Sequence, residues 1–486
     1  MPPAPRARVR ATAAVLALTV AGCGAPDEEA PPEERPSPGP SRLSRVDFDG
    51  DGFDDLVLGL PGVEVGGRPN AGVVAVVPGS ADGPDLSSAR VISRADEGVP
   101  GAVAQDDRFG GRTWLSPGTL TGDLDGDGFT DLVVNAGDQG VEEAGERGPI
   151  LLWGSADGLG VGVPLGADVP SGYVDAVGDF DGDGYPDLVR LDPNADMGAG
   201  GFGLLYGPFS REWEPDRVGD VPSGQGGDEL RLTSGDVNGD GVTDLIGFAS
   251  FEEMAHPTRV WLGSADGFEE YEGAEPLPTA DQGTVADVNG DGYGDLVLRH
   301  VGRSVENPPY IPGEIVVVYG SASGPGERST PLNLDSEGVP GASFDGDQFA
   351  HELAAGDVDG DGYTDVVAAV MRPASDAPFD AGDVVVLRGG PEGLSGDGAL
   401  RYGAEEAGAP VPPPAEMDRF DHYRWPGTRI RALDADGDGL ADVIVRPSPA
   451  GTGPDAGAPG SLWMFHGDGE PTGGLDLTGL PIPTGD

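Results

Sequence analysis

One short acidic pattern recurs seven times along the chain, and its side chains are suited to binding a metal ion. The pattern is Asp-x-Asp/Asn-x-Asp-Gly-x-x-Asp followed by Leu, Val or Ile, and its oxygen-bearing side chains stand at positions 1, 3, 5 and 9. In chain order these side chains are Asp47, Asp49, Asp51 and Asp55; Asp123, Asp125, Asp127 and Asp131; Asp179, Asp181, Asp183 and Asp187; Asp236, Asn238, Asp240 and Asp244; Asp287, Asn289, Asp291 and Asp295; Asp357, Asp359, Asp361 and Asp365; and Asp434, Asp436, Asp438 and Asp442. We number these copies loops 1 to 7.

Oxygen-rich side chains at this spacing favour calcium. Twenty-six of the 28 side chains are carboxylates and the other two are asparagines. Calcium takes six to eight hard oxygen ligands in an irregular geometry, whereas magnesium requires a strict octahedron. Glycine at positions 4 and 6 lets the backbone turn where a Cβ would clash. Because carboxylates this close repel one another unless a cation neutralises them, we predict up to seven bound Ca2+ ions, with the position 7 carbonyl as a further ligand.

Position 12 of the pattern excludes two other calcium motifs. An EF-hand requires Glu there between flanking helices, and a dockerin-type loop also requires an acid followed by a helix. Position 12 is Leu58, Val134, Arg190, Gly247, Leu298, Ala368 or Val445, and none of these is an acid. Position 9 is followed by runs such as LVLG, LVVN and VIVR, which are typical of β-strands.

The composition is strongly acidic. The 486 residues carry 28 basic side chains, all of them arginines, against 85 aspartates and glutamates, for a formal charge of −57. Such a surface repels nucleic-acid phosphates and anionic lipid headgroups, so we expect no nucleic-acid partner. High charge with 85 glycines and 47 prolines is also typical of disorder. Recurring apolar β-type runs favour a folded protein instead.

The N-terminus has the features of an export signal. Three arginines within residues 6–10 precede the apolar stretch 11–21, which is too short to span a bilayer stably. The sequence Val20-Ala21-Gly22-Cys23 follows and resembles the lipobox of bacterial lipoproteins. In that family the cysteine is diacylated and becomes the first mature residue. The alternative is an ordinary cleaved signal peptide with an incidental thiol.

This interpretation divides the chain into three parts. Residues 1–22 are the lipoprotein signal peptide, Cys23 is the lipidation site, and the Pro/Glu-rich segment 23–42 is a stalk. Residues 43–486 form the folded domain. We expect the protein to be exported and lipid-anchored on the extracytoplasmic side of a bacterial membrane, with the anchor as its only membrane contact.

A second signature recurs in the repeats, an apolar run that ends in a glycine turn. Clear examples are VVAVVPGSADG (73–83), ILLWGSADG (150–158), RVWLGSADG (259–267) and EIVVVYGSASG (314–324). Each repeat is interpreted as strand a, acidic loop, strand b, variable connection, strand c, glycine turn and strand d. The acidic loops begin 76, 56, 57, 51, 70 and 77 residues apart, which suits β-units with variable connections. We predict an all-β, seven-bladed β-propeller of four-stranded antiparallel blades and leave the closure of its ring open.

At this level the repeats resemble those of the FG-GAP family, best known from the N-terminal propeller of integrin α subunits. Asp107-Arg108-Phe109-Gly110 matches the Phe-Gly half of that repeat, and 347–350 and 418–421 nearly match it. The Gly-Ala-Pro half survives in fragments such as Gly59-Leu60-Pro61. The resemblance spans about 43–480 and implies an integrin-α-like propeller. In integrins a subset of the blades binds calcium, whereas all seven loops here keep ligands.

These features favour a non-catalytic binding or adhesion propeller, which we expect to be a monomer. One alternative is a lectin-like glycan binder, and a less favoured one is a surface hydrolase or lyase. The histidines, His256, His300, His351, His422 and His466, show no metal or triad spacing. The GSADG turns also lack the G-x-S-x-G elbow of serine hydrolases.

The ligand, a protein or a glycan, is predicted to bind opposite the acidic loops. In an up-and-down blade the a–b and c–d turns share one face, so the longer b–c and d–a connections share the other face. Trp114 and Trp425 each follow a repeat phenylalanine by five residues, in the longer d–a connections. Paired aromatic rings can stack on a sugar or anchor a protein. The alternative is that each tryptophan caps its own blade.

Overall fold

Nearly all of the regular secondary structure in the described part of the chain is β-strand. This computed structural model describes residues 45–111, 117–136, 148–164, 173–191, 202–221, 229–251, 254–301, 313–344, 347–370, 383–403, 429–446, 461–467, 469 and 471–482. Cys23, the stalk 23–42, Trp114 and Trp425 lie outside the described residues. Within these ranges, no helix is both long and apolar enough to cross a membrane.

Consecutive strands form seven antiparallel sheets, which confirms the seven-bladed β-propeller. Blade 1 contains β1 (Leu56–Leu60), β2 (Val73–Val77) and β3 (Arg90–Ile92); blade 2 contains β4 (Thr119–Gly122), β5 (Asp131–Val134), β6 (Ile150–Leu152) and β7 (Gly162–Pro164); blade 3 contains β8 (Tyr173–Gly178), β9 (Asp187–Leu191), β10 (Phe202–Tyr206) and β11 (Arg217–Asp220). Blade 4 contains β12 (Glu229–Gly235), β13 (Asp244–Phe251), β14 (Met254–Ala255), β15 (Arg259–Leu262) and β16 (Glu269–Glu270); blade 5 contains β17 (Ala280–Ala286), β18 (Asp295–His300), β19 (Glu314–Val318) and β20 (Ser329–Leu332). Blade 6 contains β21 (Leu353–Gly356), β22 (Asp365–Val370), β23 (Asp383–Arg388) and β24 (Ser395–Tyr402); blade 7 contains β25 (Arg429–Leu433), β26 (Asp442–Arg446), β27 (Ser461–Phe465) and β28 (Pro471–Asp476).

Blades 1 and 4 depart from the four-strand pattern. Blade 1 has three strands among the described residues, but the N–H of Asp55 donates to the carbonyl of Val46 at 2.5 Å. Gly122 and Asp131 occupy the same rung in blade 2. The chain just before loop 1 therefore takes the inner-strand position. In blade 4 the short β14 adds a fifth strand, paired with β13.

Each blade is apolar on both faces because it packs between two other blades. Successive side chains of a strand point to opposite faces, so an uninterrupted apolar run contacts both neighbours. In β23, Val384 and Val386 pack with residues of blade 7, whereas Val385 and Leu387 pack with residues of blade 5. Seven buried clusters of this kind lie among the described residues, one between each adjacent pair of blades.

The ring closes by packing of blade 7 against blade 1. Ile444, Leu462 and Met464 of blade 7 share a buried cluster with strands β1 and β2. The 3-10 turn Leu477–Gly479 follows β28 and adds Leu477 to that cluster. Every sheet of the described residues takes its strands from one continuous stretch of chain, so closure here requires no exchanged strand.

The acidic loops also connect neighbouring blades through the backbone. The N–H at position 8 of one loop donates to the carbonyl of the position 1 aspartate in the preceding loop. These pairs are Asp54 with Asp434, Thr130 with Asp47, Thr243 with Asp179, Gly294 with Asp236, Thr364 with Asp287 and Ala441 with Asp357, at 2.8–3.4 Å. In loop 3, position 8 is Pro186, which has no N–H to donate.

The position 7 side chain of each of six loops covers the position 4 glycine of the preceding loop. An added Cβ at that glycine would lie within 3 Å of the side chain. The pairs are Phe129 over Gly50, Val242 over Gly182, Tyr293 over Gly239, Tyr363 over Gly290, Leu440 over Gly360 and Phe53 over Gly437. The last pair joins blade 1 to blade 7. Position 4 is therefore glycine for the close approach of the next blade as well as for its positive φ.

Replacing position 4 glycine should cost more stability than replacing position 6 glycine in the same loop. Gly239 and Gly241 both have positive φ, +69° and +88°, and alanine at such angles costs about 1–2 kcal/mol. A Cβ on Gly239 would also lie 2.5 Å from the carbonyl oxygen of Gly292, whereas one on Gly241 meets nothing within 4 Å. We expect Gly239→Ala to lower the free energy of unfolding in urea further than Gly241→Ala. Equal losses would contradict the close contact between loops 4 and 5.

Candidate metal centres

The aspartate at position 9 joins the two turns of its blade. In blade 4, the N–H of Val237 in the acidic loop donates to Oδ2 of Asp244 at 2.8 Å, and the N–H of Gly263 in the glycine turn donates to Oδ1 at 2.9 Å. The same two contacts are made by Asp55, Asp131, Asp187, Asp295 and Asp365. The acidic loop and the glycine turn therefore lie at the same end of these blades, as the sequence predicts.

Burial raises the pKa of these carboxyl groups. Asp131, Asp244 and Asp295 are fully buried, and the pKa of each rises from 3.8 to about 7. The pKa of Asp187 rises to about 8 and those of Asp55 and Asp442 to about 6. Desolvation is the largest cause, and the charges of neighbouring loop acids add to it. Calcium in the loop would favour the ionised form.

The acids at positions 1 and 5 hold the conformation of the loop. In loop 4, Oδ1 and Oδ2 of Asp236 accept hydrogen bonds from the N–H groups of Gly239 and Gly241, at 2.7 and 2.8 Å. Asp240 Oδ1 accepts from the N–H of Val242 at 2.9 Å. These short-range hydrogen bonds fold the loop back on itself, so that alternate side chains converge on one side.

The converging oxygens lie close enough together to share one calcium ion. Carboxylate oxygens at positions 1, 3 and 5 lie within 4.8 Å of one another in loops 1, 2 and 6, as do those at positions 1, 3 and 9 in loop 3. Two oxygens on opposite sides of one calcium ion stand about 4.6–5.2 Å apart. In loop 7, Oδ1 of Asp434 is buried without a hydrogen-bond partner among the described residues. Both the donor atoms and their spacing fit calcium.

Basic side chains also contact the loop acids. Nε of Arg211 lies 2.7 Å from Oδ2 of Asp125, and its Nη2 lies 2.6 Å from Oδ2 of Asp127. Arg217 forms an ion pair with Asp181 in loop 3.

Arg388 and His466 occupy equivalent places before the turn glycines of blades 6 and 7. Nη1 of Arg388 lies 2.7 Å from Oδ2 of Asp365 and 3.4 Å from Oδ2 of Asp359. Nδ1 of His466 lies 3.0 Å from Oδ1 of Asp442 and 3.3 Å from Oδ2 of Asp436. Each base therefore contacts positions 3 and 9 of its loop.

The sequence pattern did not identify these bases as part of the site. The histidines show no metal-site spacing in the sequence, but in the structure His466 groups with Asp436 and Asp442. The contact joins strand c to the a–b loop, and the histidine is 24 residues from Asp442. A short sequence motif therefore cannot reveal it. An alignment of the seven repeats on their turn glycines would have shown that Arg388 and His466 occupy the same position in their repeats.

The Phe-Gly and Gly-Ala-Pro halves of the repeat meet across the junction of blades 1 and 2. Phe109 is fully buried, and its N–H donates to the carbonyl of Ala71 in blade 1 at 3.0 Å. A Cβ on Gly59 would lie only 2.0 Å from the carbonyl oxygen of Gly110. The two signatures are thus parts of one interblade contact.

Comparison with protein families identifies these repeats. Residues 236–298 match the model of the FG-GAP-like repeat, and residues 118–153 and 349–387 match that of the FG-GAP repeat. These three stretches of the chain are FG-GAP repeats. The match at 349–387 begins at Phe349, which is fully buried in the propeller, as is Phe109.

Characterised relatives match parts of this chain. Phosphatidylinositol-glycan-specific phospholipase D of Mus musculus is 30% identical over 162 residues, which is 33% of this chain and 17% of the relative. Integrin alpha-PS2 of Drosophila melanogaster is 29% identical over 233 residues, 43% of this chain and 16% of the relative. The chain thus spans less than a fifth of the length of these relatives.

Among solved structures, a variant of AofleA from Arthrobotrys oligospora aligns with 8% identity and a TM-score of 0.38. The alignment covers 90% of this chain and 95% of AofleA.

The raised pKa of Asp244 predicts a pH dependence in the chelator-treated protein. A pKa raised from 3.8 to about 7 stabilises the fold fully below about pH 4 and loses that contribution as the pH rises through about 7. Asp244→Asn removes this group, so the fall in Tm between about pH 5 and about pH 8 should be smaller than in the wild type. Asp266→Asn, an equal charge change at an exposed glycine-turn residue, is the control. An unchanged pH dependence in Asp244→Asn would contradict the buried titration.

Proposed function

We propose that this FG-GAP propeller is a calcium-stabilised, non-catalytic binding protein that acts outside the cell. The observation that carries the proposal is the position of the acidic loops at the blade junctions. In six of the seven junctions the position 1 aspartate accepts a hydrogen bond from the next blade through its carbonyl. For Asp47, Asp179 and Asp357, the carboxylate of the same residue belongs to an oxygen cluster. An ion in the loop would therefore stabilise two blades at once.

Calcium removal should destabilise the protein. Each site that binds only the folded state adds about 2.7 kcal/mol at a free calcium concentration of 100 times its Kd. We expect EDTA to lower the Tm markedly and calcium to restore it better than magnesium. Asp240→Ala should reduce the calcium-dependent part of the Tm, whereas Asp266→Ala in the same blade should not. An unchanged Tm in EDTA, with fewer than about two ions per chain by metal analysis, would refute the calcium assignment.

A ligand-binding surface is proposed for the face opposite the acidic loops. The hydrogen bond between Asp244 and Gly263 supports this assignment, because it brings the a–b and c–d turns together and leaves the b–c and d–a connections for the other end. Function is often located on such variable connections. We propose a protein or glycan as the ligand and assign no catalytic residue.

Binding should be tested with the soluble fragment 43–486 on a glycan array and in a pull-down from an extracytoplasmic fraction. The double change Trp114→Ala, Trp425→Ala should abolish capture of the ligand so identified without altering the Tm, because rings on a binding surface can be removed at little cost in stability. A large fall in Tm would instead assign the tryptophans to the blade core.

Lipid anchoring through Cys23 is the remaining part of the proposal. The lipobox-like sequence before Cys23 supports it, and two acyl chains give stable attachment where one gives only marginal attachment. Cys23→Ser should release the protein from the membrane fraction or leave its signal uncleaved. An unmodified N-terminal residue in the mature protein, measured by mass spectrometry, would refute the anchor.

A further inference from the structure

Two kinds of side chain provide hydrogen-bond donors inside the acidic loops. In loops 4 and 5, position 3 is asparagine, and Nδ2 of Asn238 and of Asn289 donates to Oδ2 of the position 5 aspartate at 3.0 Å. In loops 2, 3 and 6, position 3 is aspartate, and Arg211, Arg217 or Arg388 contacts it. Among the described residues, no arginine or histidine contacts the acids of loops 4 and 5.

The two arrangements give the loops the same formal charge. Loop 4 has three carboxylates and a charge of −3, while loop 6 has four carboxylates and one guanidinium, −4 + 1 = −3. Loops 2 and 3 also have four carboxylates and one guanidinium each, from Arg211 and Arg217 respectively, so their formal charge is also −3. In loop 1, Arg45 instead contacts the carbonyl of Gly52 and the carboxylate of Asp54, which is not at a ligand position.

The arginines are held in place by the fold. Arg211 stacks on the ring of Trp153, with Cζ 4.8 Å from the centroid, and Arg217 stacks on Tyr206 at 3.3 Å. Both aromatic residues precede the turn glycine of strand c, the place that Arg388 occupies in blade 6. The side chain of Arg388 is only 13% exposed. Stacking and burial position these cations independently of the loop acids.

We propose that Arg211, Arg217 and Arg388 are resident counter-cations of loops 2, 3 and 6. Each neutralises part of the loop charge when calcium is absent and competes with calcium for the same carboxylates when it is present. The inference rests on the proposed calcium binding and adds that the affinity of these loops is set below what their four carboxylates alone would give. A guanidinium at 2.7 Å from a ligand oxygen repels an incoming divalent cation.

The test uses Arg388→Gln, which keeps hydrogen-bonding capacity and removes the charge. In EDTA its Tm should fall below that of the wild type because the loop acids lose their counter-ion. The rise in Tm on adding calcium should be larger than in the wild type. Calorimetric titration of chelator-stripped protein should show one site with affinity about threefold to tenfold higher. If Arg388→Gln fails to fold, Arg211→Gln is the second variant, because Arg211 is 51% exposed. It should show the same changes in Tm and in calcium affinity.

Arg328→Gln is the matched control. Arg328 stacks on Tyr319, 3.9 Å from the ring centroid, at the equivalent place in blade 5, and it contacts the carbonyl of Glu392 instead of a loop acid. It should leave calcium affinity unchanged. Equal falls in Tm with and without calcium in Arg388→Gln, or an unchanged titration, would assign these arginines a packing role only and overturn the inference. If the wild type shows no calcium effect at all, the proposed function itself fails.

Discussion

Repulsion among buried and crowded carboxylates is the constraint on which this propeller depends. Each loop gathers three or four acids at a blade junction. In loops 1 to 6 the buried aspartate at position 9 also joins the acidic loop to the glycine turn. The pKa of Asp187 is raised to about 8, chiefly because burial removes water from the carboxylate and also because the charges of Asp179 and Asp181 lie close to it. The negative charge of these carboxylates is offset by backbone amides, by arginines, by asparagine amides and by the proposed calcium ions.

The loops serve the architecture because they lie where blades meet. Position 1 accepts a hydrogen bond from the next blade, and the glycine at position 4 makes room for an apolar side chain of that blade. The apolar clusters on both faces of every sheet then provide the larger burial term, about 1.5–3 kcal/mol for each fully buried valine or leucine. Local electrostatics and long-range packing are thus coupled in each repeat. A change in one loop therefore affects the stability of two blades.

The arginines show how one repeat can vary without losing the pattern. Arg388 in blade 6 and His466 in blade 7 reach the same two loop positions from the same place before the turn glycine. Blades 4 and 5 reduce the charge with asparagine instead. Seven loops that look nearly identical in sequence therefore differ in what surrounds their carboxylates, and their affinities for a cation need not be equal.

The sequence by itself determined the number of blades, the strand order within each blade and the positions of the loop acids, because these features depend on local periodicity and turn chemistry. Tertiary structure decided how the ring closes, which side chains cover the position 4 glycines and which bases enter the loops. Those contacts join residues far apart in the chain, such as Phe53 and Gly437. No local pattern encodes such pairs, because a contact between two blades exists only once both sheets have folded and packed.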